Sequence, residues 1–186
     1  MATINNSDLQ ELFTYIVTVE NILHKEIKLV NGNRYHLDKL VPEDVAGVYT
    51  KKETKANEFV DSMYRKFYEA FVVSLVAVFE RVVFAKYKTS YGEIKTTVGS
   101  DTPKTIDFYR TREKIIGEAN DKLHAIIIIL DGQIDNDLLK KLKVIKDHRD
   151  FIAHGGRFGA APTVSMKLHE IAEALDSVLN EVEINK

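Results

Sequence analysis

The chain has 186 residues, 45% of them apolar, with 26 basic and 28 acidic side chains, a formal charge of −2 and no cysteine. That length suits one domain, with room for an extension. The balanced charge excludes a uniformly basic nucleic-acid coat but not a local basic cleft, and the missing thiols exclude disulfides, thiolate metal sites and a cysteine nucleophile.

Nine glycines and three prolines are too few for the regular turns of a sandwich or barrel, so long helices are expected. The first helix is expected from Ser7, where Ser7 and Gln10 read as a capping box. Leu9, Leu12, Phe13, Ile16, Val19, Leu23 and Ile27 then recur at helical spacing until Asn31-Gly32-Asn33. Residues 31–57 are less regular, with one short turn possible at Pro42. A long helix is expected from Glu58 to Lys88, with Phe59, Met63, Phe67, Phe71, Leu75, Val78, Phe79 and Val82 on a wide apolar stripe. Val72, Val73 and Val76 thicken that stripe. Gly92 and residues 96–100 read as a loop.

Asp101, Thr102 and Pro103 look like a cap and first-turn proline. The helix they open runs to Leu130, with a break near Gly117, and Asp131-Gly132 closes it. The β-branched run Ile126–Ile129 has strand propensity but no partner strand, so it reads as a buried helix end. Further helices are expected over Asn136–Ala153, stopped by Gly155-Gly156, and over Ser165–Val182. Leu138, Leu142, Ile145 and Ile152 would line the first, and Leu168, Ile171, Ala172, Leu175, Val178 and Leu179 the second. The expected fold is all-α, a bundle of about five helices. Residues 1–57 would form an N-terminal helix and connection, and 58–186 the main helical domain.

No basic segment leads into an apolar core in the first twenty residues. The longest apolar stretch, Ala70–Phe79, ends at Glu80 and Arg81, short of the about 20 residues a membrane span needs. A cytoplasmic protein without membrane association is the expectation. Phosphate-binding glycine loops, His-Glu-x-x-His pairs and nucleophile elbows are absent from the sequence. His24, His36, His124, His148 and His169 have no metal-ligand spacing, so no metal or cofactor is expected.

Residues 140–157 carry six Lys or Arg against two Asp, whereas residues 163–186 carry two Lys against five acids. A basic strip thus sits on a slightly acidic protein. Its bland reading is a solvated helix face, and its functional reading is a phosphate-facing surface. On the second reading Lys143, Lys146, His148 and Arg157 would contact RNA.

Within the strip runs Arg149-Asp150-Phe151-Ile152-Ala153-His154-Gly155, an arginine followed by an acid and, with four residues between it and the arginine, a histidine. This resembles the HEPN superfamily, whose mark is an arginine, a polar residue and a histidine near a helix end in an all-α bundle. The resemblance extends weakly to the long helix around Phe79-Glu80-Arg81 and does not reach residues 1–57. It implies an endoribonuclease in a toxin or defence setting, an RNA substrate, a homodimer with facing motifs, and an antitoxin or defence partner. It also admits a non-catalytic HEPN module that binds nucleotide, RNA or protein, against which the intact Arg149 and His154 argue. Toxins silenced by a nucleotidyltransferase antitoxin often carry a tyrosine two residues after the histidine; Gly156 stands there. A helical oligomerisation protein with a coincidental motif is a third alternative.

The residue types suit the chemistry. RNA is cut without metal when its own 2′-hydroxyl attacks the adjacent phosphate. Imidazole titrates near neutrality, so His154 would move the proton. A guanidinium in fixed fork geometry, Arg149, would hold the charge growing on the phosphate oxygens. Asp150, four residues before His154, would orient the imidazole or form a plain surface pair. Glu80 is an acid in an apolar run and should have a partner; the resemblance allows it to brace Arg149 or His154, and a plain ion pair with a nearby Lys or Arg is the alternative. Arg149 and His154 lie about 140° apart around a regular helix. They are expected at a partly exposed cleft that a helix bend or a second copy completes.

Overall fold

In a computed structural model the described residues are 4–31, 53–98, 114–115, 117–155 and 166–184. They form five helices and no strand, so the chain is all-α: α1 Ser7–Asn31, α2 Glu53–Val98, α3 Lys122–Leu130, α4 Asn136–Ala153 and α5 Leu168–Ile184. The expected turn at Pro42, the Asp101–Pro103 cap, Gly156 and Arg157 fall outside the described residues. No helix among the described residues is long and apolar enough to cross a membrane.

The start of α1 differs from the capping-box expectation. Its cap is Asn6, whose Oδ1 accepts the Leu9 N–H at 3.2 Å, so Ser7 is already inside the helix. In a capping box the residue at N3 accepts the cap's own backbone N–H. Here Asp176 of α5 does so: its Oδ1 accepts the Asn6 N–H at 2.8 Å and its Oδ2 the Asn5 N–H at 3.0 Å. Asp176 is only 3% exposed, and the two amides and the Asn180 side chain (3.2 Å) satisfy its carboxylate.

The helix expected over 58–88 is longer at both ends, and the loop expected from Gly92 onward is helix as far as Val98. One glycine inside a helix costs only about 1 kcal/mol, too little to stop an established helix. The expected break near Gly117 lies at residues 119–121, where Asp121 caps α3 by accepting the His124 N–H at 3.1 Å. Asp135 caps α4 and accepts the Asp137 and Leu138 N–H groups. Gly132 and Gly155 take positive φ, 74° and 60°, the region where a Cβ is penalised. The last helix begins at Leu168 rather than Ser165, and its first turn is closed by the Glu170 carboxylate on the Lys167 N–H at 2.8 Å.

The residues group into two compact units, Met1–Gln10 with Val72–Lys186, and Glu11–Phe71. In the first, α3 packs on α4 and α4 on α5. Its core takes Val72, Leu75, Val76, Phe79 and Val83 from α2 and Leu123, Ile126 and Leu130 from α3. Leu139, Leu142 and Ile145 come from α4, and Ile171, Leu175 and Val178 from α5. The isoleucine run is helical and buried, except that Ile128 faces outward. The α4 stripe uses Leu139 where Leu138 was expected, and Leu138 and Ile152 are half-buried. Val73, expected in the α2 stripe, is exposed. In the second unit Tyr15 meets Phe71 edge-on at 6.4 Å, Phe67 lies 6.2 Å from Phe71, and Tyr64 donates to Glu20 at 3.5 Å.

Candidate functional site

The candidate site is built at the C-terminal half of α4. Leu142, Ile145 and Arg149 follow one another at three and four residues, so Arg149 continues the buried face of the helix. Its side chain is 19% exposed. Lys146 and Asp150, also four apart, lie on the neighbouring stripe. His154 ends the helix: its backbone N–H donates to the Asp150 carbonyl at 3.0 Å, and Gly155 donates to Ile152 at 2.9 Å. The imidazole is exposed. The helix therefore turns Arg149 inward and carries His154 at the surface, as the angular spacing requires.

Arg149 meets three carboxylates. Its Nη2 donates to Glu80 Oε1 at 3.2 Å and to Asp121 Oδ1 at 3.0 Å, and its Nη1 lies 2.9 Å from Asp150 Oδ1. Its Nε is buried with no acceptor among the described residues. Lys146, 18% exposed, lies 3.1 Å from Asp121 Oδ2 and donates to Asp150 Oδ2. Glu80, Asp121 and Asp150 thus share two cations from successive turns of α4.

The electrostatics follow from partial burial. Burial raises the Glu80 carboxyl above its ordinary range and Asp121 adds to the rise, while Arg149, Lys122 and the Leu123 N–H pull against it. Burial opposes the charge of Asp121 too, but the His124 N–H, Lys146 and Arg149 outweigh it and hold that carboxyl below its ordinary range. Burial likewise works against the Lys146 ammonium, which Asp150 and Asp121 nonetheless hold above its ordinary value. Burial lowers the His148 imidazole.

The sequence-derived residues divide accordingly. Arg149, Asp150, Lys146 and Glu80 converge. His154 and Lys143 stand exposed, and His148 is half-buried on α4. Of the basic strip, Lys140 pairs with Asp137 at 2.7 Å, and Lys146 and Arg149 are engaged in the network, so much of its charge is neutralised within the chain. The Asp150 carboxylate is engaged by Lys146 and Arg149, a partnership outside the orienting role expected toward His154. Sequence reasoning missed Asp121, which with Asp150 bridges both cations. Its signal was Asn120-Asp121 directly ahead of the apolar run 123–130, a helix-cap pattern hidden by reading one helix through it. Among the described residues no three His, Asp or Glu side chains are arranged to hold a metal ion.

In comparison with known proteins, no family model, curated protein or solved structure matches the chain.

Proposed function

We propose that the chain is a metal-independent endoribonuclease of the HEPN type, in a toxin or defence setting, acting in the cytoplasm as a homodimer. Substrate RNA would be cut by attack of its 2′-hydroxyl, leaving a 2′,3′-cyclic phosphate and a 5′-hydroxyl. His154 moves the proton and Arg149 meets the phosphate oxygens. Lys143, Lys146, His148 and Arg157 contact the RNA backbone. The observation that carries the reading is the junction at the end of α4: an exposed imidazole on the cap residue, a little more than one turn beyond an arginine oriented by its ion pair with Glu80. Fixed guanidinium geometry is what electrostatic stabilisation of a growing charge demands.

The test is RNA cleavage by the purified protein with and without EDTA. The expected result is equal cleavage, with cyclic phosphate ends by mass spectrometry. Cleavage abolished by the chelator and restored by magnesium overturns the mechanism. A second reading has its own observation: three carboxylates already occupy the Arg149 guanidinium, which suits a non-catalytic HEPN module binding RNA, nucleotide or protein. Absence of cleavage of any RNA favours that reading.

A further inference from the structure

Of the three acids around Arg149, Asp121 is differently placed. Like Asp150, it puts one oxygen on each of the two cations: Oδ1 accepts from Arg149 at 3.0 Å, and Oδ2 lies 3.1 Å from Lys146. Oδ1 also accepts the His124 backbone N–H at the start of α3, at 3.1 Å. A guanidinium, an ammonium and an amide from a helix N-terminus are the donors that hold two oxygens of a phosphate. Here a carboxylate of the chain itself fills their focus.

Asp121 is also the acid best able to leave. Its side chain is 36% exposed, against 19% for Glu80 and 25% for Asp150. Glu80 is within α2 and Asp150 within α4, whereas Asp121 precedes α3 on extended backbone, φ −113° and ψ 94°. Rotation of its side chain takes its oxygens off Lys146, Arg149 and the α3 amide together, at the cost of the α3 cap, while Glu80 and Asp150 stay on the cations.

We propose that Asp121 is the resident counter-ion of a phosphate site formed by Arg149, Lys146 and the N-terminus of α3, and that a phosphate group of RNA binds by displacing it. The inference rests on the reading of Arg149 as a phosphate ligand and adds the intramolecular competitor that holds the site closed. Asp121 is therefore a positioning residue, acting through the two cations.

The experiment uses Asp121→Asn. Asparagine caps a helix about as well as aspartate, so the variant removes the charge and keeps the cap. Calorimetry at low salt measures binding of inorganic pyrophosphate and of a short 2′-O-methyl oligoribonucleotide, which cannot be cleaved. Asp121→Asn is expected to bind both about tenfold more tightly than the wild type, the scale of one charge-assisted hydrogen bond freed. Tightening for pyrophosphate alone still upholds the anion site and assigns it to free phosphates rather than to RNA, which overturns the RNA part of the proposal. Asp137→Asn removes an equal charge from exposed α4 surface, where Asp137 pairs with Lys140, and is expected to change affinity less than twofold. Equal affinity of Asp121→Asn and wild type overturns the proposal, and so does an equal gain in the two variants, which marks a diffuse field effect. Should Asp121→Asn not fold, the guanidinium resonance of Arg149 in the wild type answers instead. Saturating pyrophosphate is expected to shift it, and an unmoved signal overturns the proposal. Cleavage assays alongside separate the two readings. Wild-type cleavage with no gain in Asp121→Asn binding removes the counter-ion and leaves the ribonuclease. A tenfold gain with no RNA cut by either protein upholds the phosphate site and removes the ribonuclease.

Discussion

His154 and Arg149 share one proposed reaction but stand in opposite surroundings, so their substitutions separate. His154 is an exposed cap residue. His154→Ala is expected to lower cleavage about 100-fold or more while changing stability by about 0.5 kcal/mol or less. Initial rates and urea unfolding of the same preparation check both. Arg149 is partly exposed but engaged by three carboxylates. Arg149→Ala strips the cation from three part-buried carboxylates, and leaving charged acceptors short of a donor costs about 1–3 kcal/mol, so its loss of activity is expected together with a fall in the unfolding midpoint. His148 gives a pH signature. Burial holds its imidazole below the ordinary 6.5. Between 6.5 and that lowered value the unfolded chain binds a proton that the folded chain does not, so stability falls as pH drops through the window. His148→Gln is expected to flatten that part of the stability curve, read from urea midpoints at steps from neutral pH downward.

The ends of the helices show what the residues disclose and what they conceal. Helix α4 was legible at both ends, because an aspartate precedes it and Gly155 supplies the left-handed residue that follows it. Helix α2 was not, because Gly92 resembles a stop and only the surrounding helix overrides it. The true cap of α1 was hidden for another reason: the acceptor that completes it comes from α5, and no local pattern carries a contact between residues 6 and 176. The same logic divides the site. The Arg149–His154 spacing is written on one helix, whereas the meeting of Arg149 with Glu80 and Asp121 joins three. Asp176 allows a direct check. Asp176→Ala leaves the Asn5 and Asn6 amides without their acceptor and is expected to cost about 2–3 kcal/mol. Asp176→Asn keeps one carbonyl oxygen and is expected to cost less, both by urea denaturation.

Val73 and Ile128 in one unit, and Tyr15, Ile22 and Phe67 in the other, are exposed apolar side chains. A twofold pair is the commonest closed assembly, and a second copy would add its own Arg149 and His154 to the cleft. Sedimentation across a dilution series is expected to show a dimer whose dissociation parallels loss of specific activity, and RNA is expected to tighten it by screening the facing cations. A monomer at all concentrations with full activity would falsify the shared cleft. Arg149 and His154 would then have to meet on one chain.

The carboxylate that binds Asn5 and Asn6 also imposes an order in time. Residue 176 follows residue 6 by 170 positions, which at 5–20 residues per second is roughly 10–30 s of synthesis. Through that interval the first turn of α1 leaves the ribosome without the acceptor for its cap. The α3–α4 pair, joined by five residues, needs no such wait, since short loops close early and distant contacts late. Asn5 and Asn6 are therefore among the last residues to be locked.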